Sequence, residues 1–326
     1  MADSKTFVED TEPFRRELLA HCYRMLGSLH DAEDLVQETY LRASRSYAKF
    51  EGRSSLRTWL YRIATNVSLT ALAHRGRRVL PSGLGGPDPD PEAIPMLAGP
   101  DIAWLQPIPD VMVNPDSADP AVVVAGRQDL RLALIASLQY LPGRQRAVLI
   151  LRDVLDFPAP EVAVMLDTTT AAVKSTLQRA RTRLQYLALV ADDVAEPTNP
   201  EARALLDRYI EAFEHADATA LQHLLCGDAT LEATPILNWF AGNDICVPYL
   251  RLRVMGSPGD WRMLPTRANG QPAAVAYTRN AGGIYEAYGV VVLTVTARGV
   301  SKIISFGDPS LLRAFGSPPI LKDVAG

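Results

Sequence analysis

The sequence predicts a multidomain chain: two all-α helical domains, the second with a helix-turn-helix, joined by an extended acidic linker and followed by an α+β domain. Three observations predict it. At 326 residues the chain is long enough for two or three domains. Apolar residues recur at helical spacing through the first 78 positions and again over 122–190, but alternate or run β-rich after 225. Charge falls in blocks. Residues 12–78 carry 12 basic and 7 acidic side chains, residues 79–126 carry 7 acids and no Lys or Arg, residues 127–186 carry 9 basic and 5 acidic, and 198–326 are near balance at 11 and 12. The overall net charge of −4 hides this order, which reads as two anion-binding modules, an acidic strap and a separate third domain.

The expected domains are 10–78, a linker over 79–126, 127–190, and 198–318. In the first, Phe14, Leu18, Leu19, Cys22, Met25 and Leu26 share a helical face that Gly27 closes. A second helix is expected from about Ser28 to Lys49 and a third from Ser54 to about Arg75, joined by the short loop Phe50-Glu51-Gly52-Arg53. Residues 81–120 hold ten prolines and no period, as an extended connector would, yet Trp104-Leu105 sits in their midst and gains nothing from staying wet. Helices return over 122–190. In the last domain, helices are expected at about 201–215 and 217–225, then strands at 228–233, 246–255, 272–279, 284–297 and 300–306, giving a curved antiparallel sheet.

Some classes are excluded. No run of 18 apolar residues exists, so no transmembrane helix is expected. The acidic start lacks the apolar core of a signal peptide, and three scattered cysteines form neither a disulfide framework nor a zinc knuckle. A cytoplasmic protein without metal or cofactor is the expectation, with no membrane partner.

The motif with the most specific spacing is at 159–184. A helix-turn-helix needs a small residue on its first helix, a turn residue tolerant of positive φ four positions on, and a β-branched core residue six further on. Ala163, Asp167 and Val173 stand at those positions. The helix that follows presents Thr170, Lys174, Ser175, Gln178, Arg179 and Arg181 around a seam of Val173, Leu177, Ala180 and Leu184. Short polar groups near a helix start reach base edges in the major groove, and basic groups beside them neutralise phosphates. An ordinary amphipathic helix would share the basic face but not the spacing.

The first domain divides its charge differently. Asp31, Asp34, Gln37, Glu38 and Leu41 fall on one side of a helix and suit a basic protein partner. The next helix combines Arg57 and Arg62 with Trp59 and Tyr61, as melted DNA requires: phosphate contacts plus a stacking surface. Trp59 taken alone reads as core.

With these motifs in order, residues 12–190 resemble an extracytoplasmic-function, group IV sigma factor of the sigma-70 family of bacterial RNA polymerase. D-A-E-D-L-V-Q-E-T is similar to the family's core-polymerase-binding segment. F-E-G-R-S-S-L-R-T-W-L-Y-R-I-A-T-N is similar to its −10 loop and helix, and L-P-G-R-Q-R-A-V-L-I-L-R-D with V-K-S-T-L-Q-R-A-R to its −35 domain. The resemblance implies that core RNA polymerase and promoter DNA are the partners, that Phe50 and the following loop residues, Arg53 among them, hold a flipped −10 base, and that Asn66 lies near it. It implies that Lys174, Ser175, Gln178 and Arg179 contact the −35 element and that the acidic connector threads basic channels of the polymerase. No anti-sigma partner is identified. Residues 198–318 are similar to the SnoaL-like, nuclear-transport-factor-2-like cone fused to some of these factors. The stretch Asn269-Gly270-Gln271-Pro272 and the W-L-Q-P-x-P-D segment with Trp104 and Leu105 resemble paired motifs of that subset, implying intramolecular docking. Related cones house acid–base enzymes, but His215, His223, Asp228, Glu232 and Asp244 form no recognisable cluster, so a regulatory domain without catalytic residues is expected. The alternative is a DNA-binding module controlling a working SnoaL-like enzyme.

Overall fold

The computed structural model describes residues 2–52, 54–74, 76–113, 130–188 and 199–321. Arg53 and the linker portion 114–126 therefore lie outside the described residues. The chain forms two compact units, one of residues 1–78 with 110–192 and the other of 79–109 with 193–326.

The first unit is helical. Helices Ala2–Thr11, Arg15–Leu26, Leu29–Ser46 and Leu56–His74 are followed by the shorter Leu132–Leu138, Gly143–Leu149 and Ala159–Met165 and by the long Thr170–Ala188. Gly27 at φ 69° ends the second helix in the left-handed turn that a Cβ would strain, and its N–H returns to Tyr23 O at 2.7 Å. Ser28 then caps the third helix by accepting from Asp31 N. Leu18, Cys22, Met25, Leu29, Ala32, Leu60 and Ala64 are buried together at the predicted helical spacings.

The two helical halves pack closely. A Cβ at Gly143 would come within 3.3 Å of Leu69 and 3.4 Å of Leu72, so glycine permits this approach. Arg146, 4% exposed, donates to the carbonyls of Met25, Gln139 and Leu141 and to Gln139 Oε1. Burial lowers its pKa to about 10, and these acceptors are what make a buried guanidinium tolerable.

The second unit combines a seven-stranded sheet with helices. Its strands are β1 (Leu225–Thr234), β2 (Trp239–Ala241), β3 (Trp261–Ala268), β4 (Gln271–Arg279), β5 (Tyr285–Thr296), β6 (Gly299–Phe306) and β7 (Ile320–Leu321), in the order β2-β1-β6-β5-β4-β3 with β7 beside β5. All pairings are antiparallel except β1 with β6. Helices Asn199–Glu214, Ala218–Leu224 and Asn243–Arg253 belong to the same unit. One face of the sheet joins Leu206, Tyr209 and Phe213 to Leu231, Trp261, Ala274, Val291 and Ile303 in a single core. Alternation along the strands sends Glu232, Val275, Tyr277 and Ile304 to the other face.

Two sequence expectations change here. Residues 246–255, read as a strand, are mostly helix: Cys246, Val247, Tyr249 and Leu250 are spaced 1, 3 and 4 apart and all buried, a helical stripe that the β-branched and aromatic content disguised. Strand β3 was not read at all. The linker expectation also meets a particular arrangement: residues 79–109, mostly without regular secondary structure, lie within the second unit.

Candidate nucleic-acid interface

The helix-turn-helix is built as its spacing requires. Asp167 takes φ 49°, and Thr169 Oγ1 accepts from Ala172 N at 3.1 Å to start the long helix. Val173, Leu177 and Ala180 are buried, which turns Lys174, Ser175, Gln178 and Arg179 outward as one exposed face. Thr170 is half-buried at the helix start. Arg179 donates to Thr176 Oγ1 at 3.1 Å. Arg181 differs. Its guanidinium forms a two-pronged pair with Asp153 at 2.6 and 2.8 Å, which ties the helix to the turn Ile150–Val154 before it.

On the acidic helix, Asp34, Gln37 and Leu41 are exposed, and Leu41 at 54% is a large apolar side chain left in solvent. Glu38 accepts from Arg42 at 2.6 Å. Asp31 is held by Arg78, both largely shielded. The structure thus separates the five residues into an open stripe and two that already have cationic partners.

On helix Leu56–His74, Arg62 and Asn66 are exposed one helical turn apart and face the same way. Phe50 is half-buried against Trp59, ring centroids 5.0 Å apart, and Trp59 reaches Tyr47 at 6.4 Å. Trp59 is therefore half-buried in an aromatic row rather than enclosed in the core. Arg57 points elsewhere: it pairs with Glu17 at 3.0 Å and lies over the rings of Tyr61 and Phe157 at 5.0 and 4.6 Å. At the start of this helix, Thr58 Oγ1 donates to Glu161 of the first helix of the helix-turn-helix at 2.9 Å. That contact borders a surface cavity of about 450 Å³ lined by Ser54, Ser55, Asp156 and Pro158 among others.

In the second unit, Asn269-Gly270 forms a two-residue hairpin between β3 and β4, both residues at positive φ. That Asn-Gly pair was the signal that could have revealed β3. Asn269, fully buried, exchanges two bonds with the strap: Ile108 N donates to its Oδ1 and its N–H donates to Ile108 O, each at 3.0 Å. Gln271 donates to Leu293 O and Thr294 Oγ1, and Pro272 pairs with Arg267 across the hairpin. Leu105 and Ile108 are 1% and 0% exposed, while Trp104 is half-buried and bridges Val79. Sequence reasoning missed the anchors at the far end. Ser82 N donates to Glu232, a fully buried carboxylate that also pairs with Lys302 at 3.0 Å. Asn238 joins Asp88 to Met96, and Trp239 Nε1 donates to Gly85 O. A buried Glu with two specific donors is a structural tie, which a linear pattern does not reveal.

Inside the cone, Phe213 stands edge-on to Trp261 and Trp261 to Tyr288, and Phe240 stacks on Tyr249 at 3.9 Å. His215 and His223 line an open groove of about 380 Å³ between two helices, with Arg208, Glu211 and Asp217. No group of three or more metal-ligating side chains occurs among the described residues, and no helix among them is long and apolar enough to cross a membrane.

Comparison with known proteins gives these surfaces a context. Residues 11–78 match the family described as Sigma-70 region 2, and 131–184 match Sigma-70, region 4. The chain is 50% identical over 317 residues to the ECF RNA polymerase sigma factor SigG of Mycobacterium tuberculosis, covering 97% of this chain and 85% of that protein. It is 28% identical over 227 residues to SigJ of the same organism, covering 68% of this chain and 63% of that one. The crystal structure of the SigJ extracytoplasmic function sigma factor superposes with a TM-score of 0.58 at 23% identity, covering 96% of this chain and 99% of the other.

Proposed function

The chain belongs to the ECF RNA polymerase sigma factors, and from that membership we propose how its surfaces divide the work of promoter-specific transcription initiation. It binds core RNA polymerase and promoter DNA, and its C-terminal domain is SnoaL-like. The assignment of residues to those tasks is our reading. The observation that carries it is the exposed face of Lys174, Ser175, Gln178 and Arg179 on a helix whose opposite seam is buried. We assign that face to the −35 element, with Thr170 at its edge and Arg181 supporting it through Asp153. The −10 element takes Phe50, Arg62 and Asn66, with Arg53 in the adjoining loop and Arg57 bracing the helix from behind. Core polymerase takes Asp34, Gln37 and Leu41, with Asp31 and Glu38 at the margins.

In this reading, region 2 spans 10–78, region 4 spans 127–190, and the regulatory domain spans 198–318. The domain regulates by holding the strap 79–109, through Leu105, Ile108 and Asn269, away from the polymerase channels that the family's connectors enter. Tethering gives such a contact an effective concentration of roughly millimolar, so it is populated even if weak. We assign the domain no chemistry: Phe213 packs against Trp261 and Phe240 against Tyr249 in its core, and its histidines line an open groove. The site of action is the cytoplasm, where the polymerase works.

The test is runoff transcription with purified core polymerase on a promoter library. The full chain should select a subset of promoters. Removing residues 198–326 should change the yield without changing which promoters are chosen. Altered promoter choice in the truncated protein would overturn the regulatory assignment.

A further inference from the structure

The sigma region 2 match begins at residue 11. Ahead of it, helix Ala2–Thr11 contacts Tyr40 of helix Leu29–Ser46 and Tyr47 just beyond it. Phe7 is 6% exposed and stands edge-on to Tyr47 and Tyr40, with centroids at 5.1 and 6.2 Å. Three hydrogen bonds secure the end of the helix. Tyr40 Oη donates to Thr11 O at 2.8 Å, Thr11 Oγ1 donates to Phe7 O at 2.7 Å, and Tyr47 Oη donates to the Asp10 carboxylate. Tyr47 continues to Trp59 and Trp59 to Phe50, each of the three half-buried. The result is a continuous row, Phe7–Tyr47–Trp59–Phe50, closed at one end by an interior ring and partly open to solvent at the other.

Rings that receive an unstacked base work best when they are already held, because the ordering cost is then met before binding. Tyr47 is held in two directions at once, by the ring of Phe7 and by the carboxylate of Asp10. We infer that helix Ala2–Thr11, through Phe7 and Asp10, positions the aromatic row Tyr47–Trp59–Phe50 for capture of unstacked −10 bases. This rests on the assignment of Phe50 to the −10 element made above. Phe7 and Asp10 are positioning residues: they act on DNA through Tyr47.

The experiment is permanganate footprinting of −10 thymines in holoenzyme assembled with full-length variants, alongside core-polymerase binding. Phe7→Ala should bind core polymerase as the wild type does, yet lower thymine reactivity about threefold to tenfold, the range expected for loss of edge-to-face pairing. Phe7→Tyr, which keeps the ring, should recover most of the reactivity. Phe7→Leu, which fills the space without a ring, should not. Asp10→Ala leaves Phe7 in place and should lower reactivity about threefold, as loss of one solvent-exposed hydrogen bond would. Wild-type reactivity in Phe7→Ala, or full recovery in Phe7→Leu, overturns the inference. Should Phe7→Ala fail to fold, wild-type reactivity in Asp10→Ala overturns it instead. Phe50→Ala separates the two ideas: a normal bubble in that variant means the −10 assignment itself has failed.

Discussion

His21 sits at the centre of the first unit, fully buried, with Nε2 2.9 Å from Thr65 Oγ1 and its ring edge-on to Tyr61. Burial, then the charges of Arg24 and Arg57, push its pKa from 6.5 down to about 3, while Glu17 across the site holds Arg57 and Tyr61. The folded chain keeps this imidazole neutral, and the unfolded chain titrates it normally. Between these two values the unfolded state binds the extra proton, so stability falls as pH drops through 6.5 toward 3 and is insensitive to this group above about 7. At pH 4.5 the loss should be roughly 2–3 kcal/mol. His21→Gln retains a polar partner for Thr65 and removes the titration. Its urea midpoint should therefore move less than the wild type's between pH 7.5 and 4.5, and equal movement would count against the buried neutral ring. Arg179 is the opposite kind of residue, exposed and donating locally to Thr176 Oγ1. Arg179→Ala should weaken binding by about 1–3 kcal/mol and change the −35 preference if the side chain reads a base. Competition among −35 variants decides this: uniform weakening across all of them would reassign Arg179 to a phosphate.

At the scale of the element, helix Leu29–Ser46 buries one face in the fold and leaves the other open, the face proposed above for core polymerase. Leu29, Ala32, Leu35, Val36, Thr39 and Ala43 are buried, while Asp34, Gln37 and Leu41 are exposed along with Arg42, Ser44 and Arg45. The pair Glu38–Arg42 is 40–50% exposed, so its contribution to stability is small, about 0.3–0.5 kcal/mol. Charge reversal at Asp34 and Glu38 together should therefore leave the fold intact while weakening association with core polymerase about tenfold or more, with −35 DNA binding unchanged. Unaltered capture of core polymerase would move the interface elsewhere. Helix Asn243–Arg253 teaches a different lesson. Its period was in the sequence, but Val247, Tyr249 and Leu250 also satisfy a strand, and only their packing beside β1 decides.

At the scale of the molecule, the strap 79–109 shares a unit with the C-terminal sheet. Its anchors run from Ser82 on Glu232 to Ile108 on Asn269. Burying Leu105 and Ile108 contributes about 1.5–3 kcal/mol each relative to leaving them wet. Ile108→Asp would place a carboxylate in a site with 0% exposure, where an unpaired charge costs several kcal/mol, so this end of the strap should detach. Limited proteolysis should then cut within 79–109 much faster than in the wild type. An unchanged cleavage pattern would mean that the strap is held without this anchor.

The sequence by itself determined the turn at 163–173 and the outward face of the helix that follows it, and its motifs carried the resemblance to the sigma regions. Those features depend on local spacing: Ala163, Asp167 and Val173 set a turn within eleven residues, and the helical period sorts Lys174 and Arg179 from Val173 and Leu177. It also singled out Trp104-Leu105, because large apolar groups in an acidic strap demand cover, and Asn269–Pro272 through its resemblance to a family motif. Only the tertiary structure decided which charged residues are already engaged. Arg57 and Glu17 lie 40 residues apart, Arg181 and Asp153 28, and Glu232 and Ser82 150. Partners at such separations leave no periodic trace. A side chain's hydrogen bonds are chosen by the three-dimensional fold around it, so a basic residue that reads as a DNA contact in the sequence can serve in the folded chain as a brace.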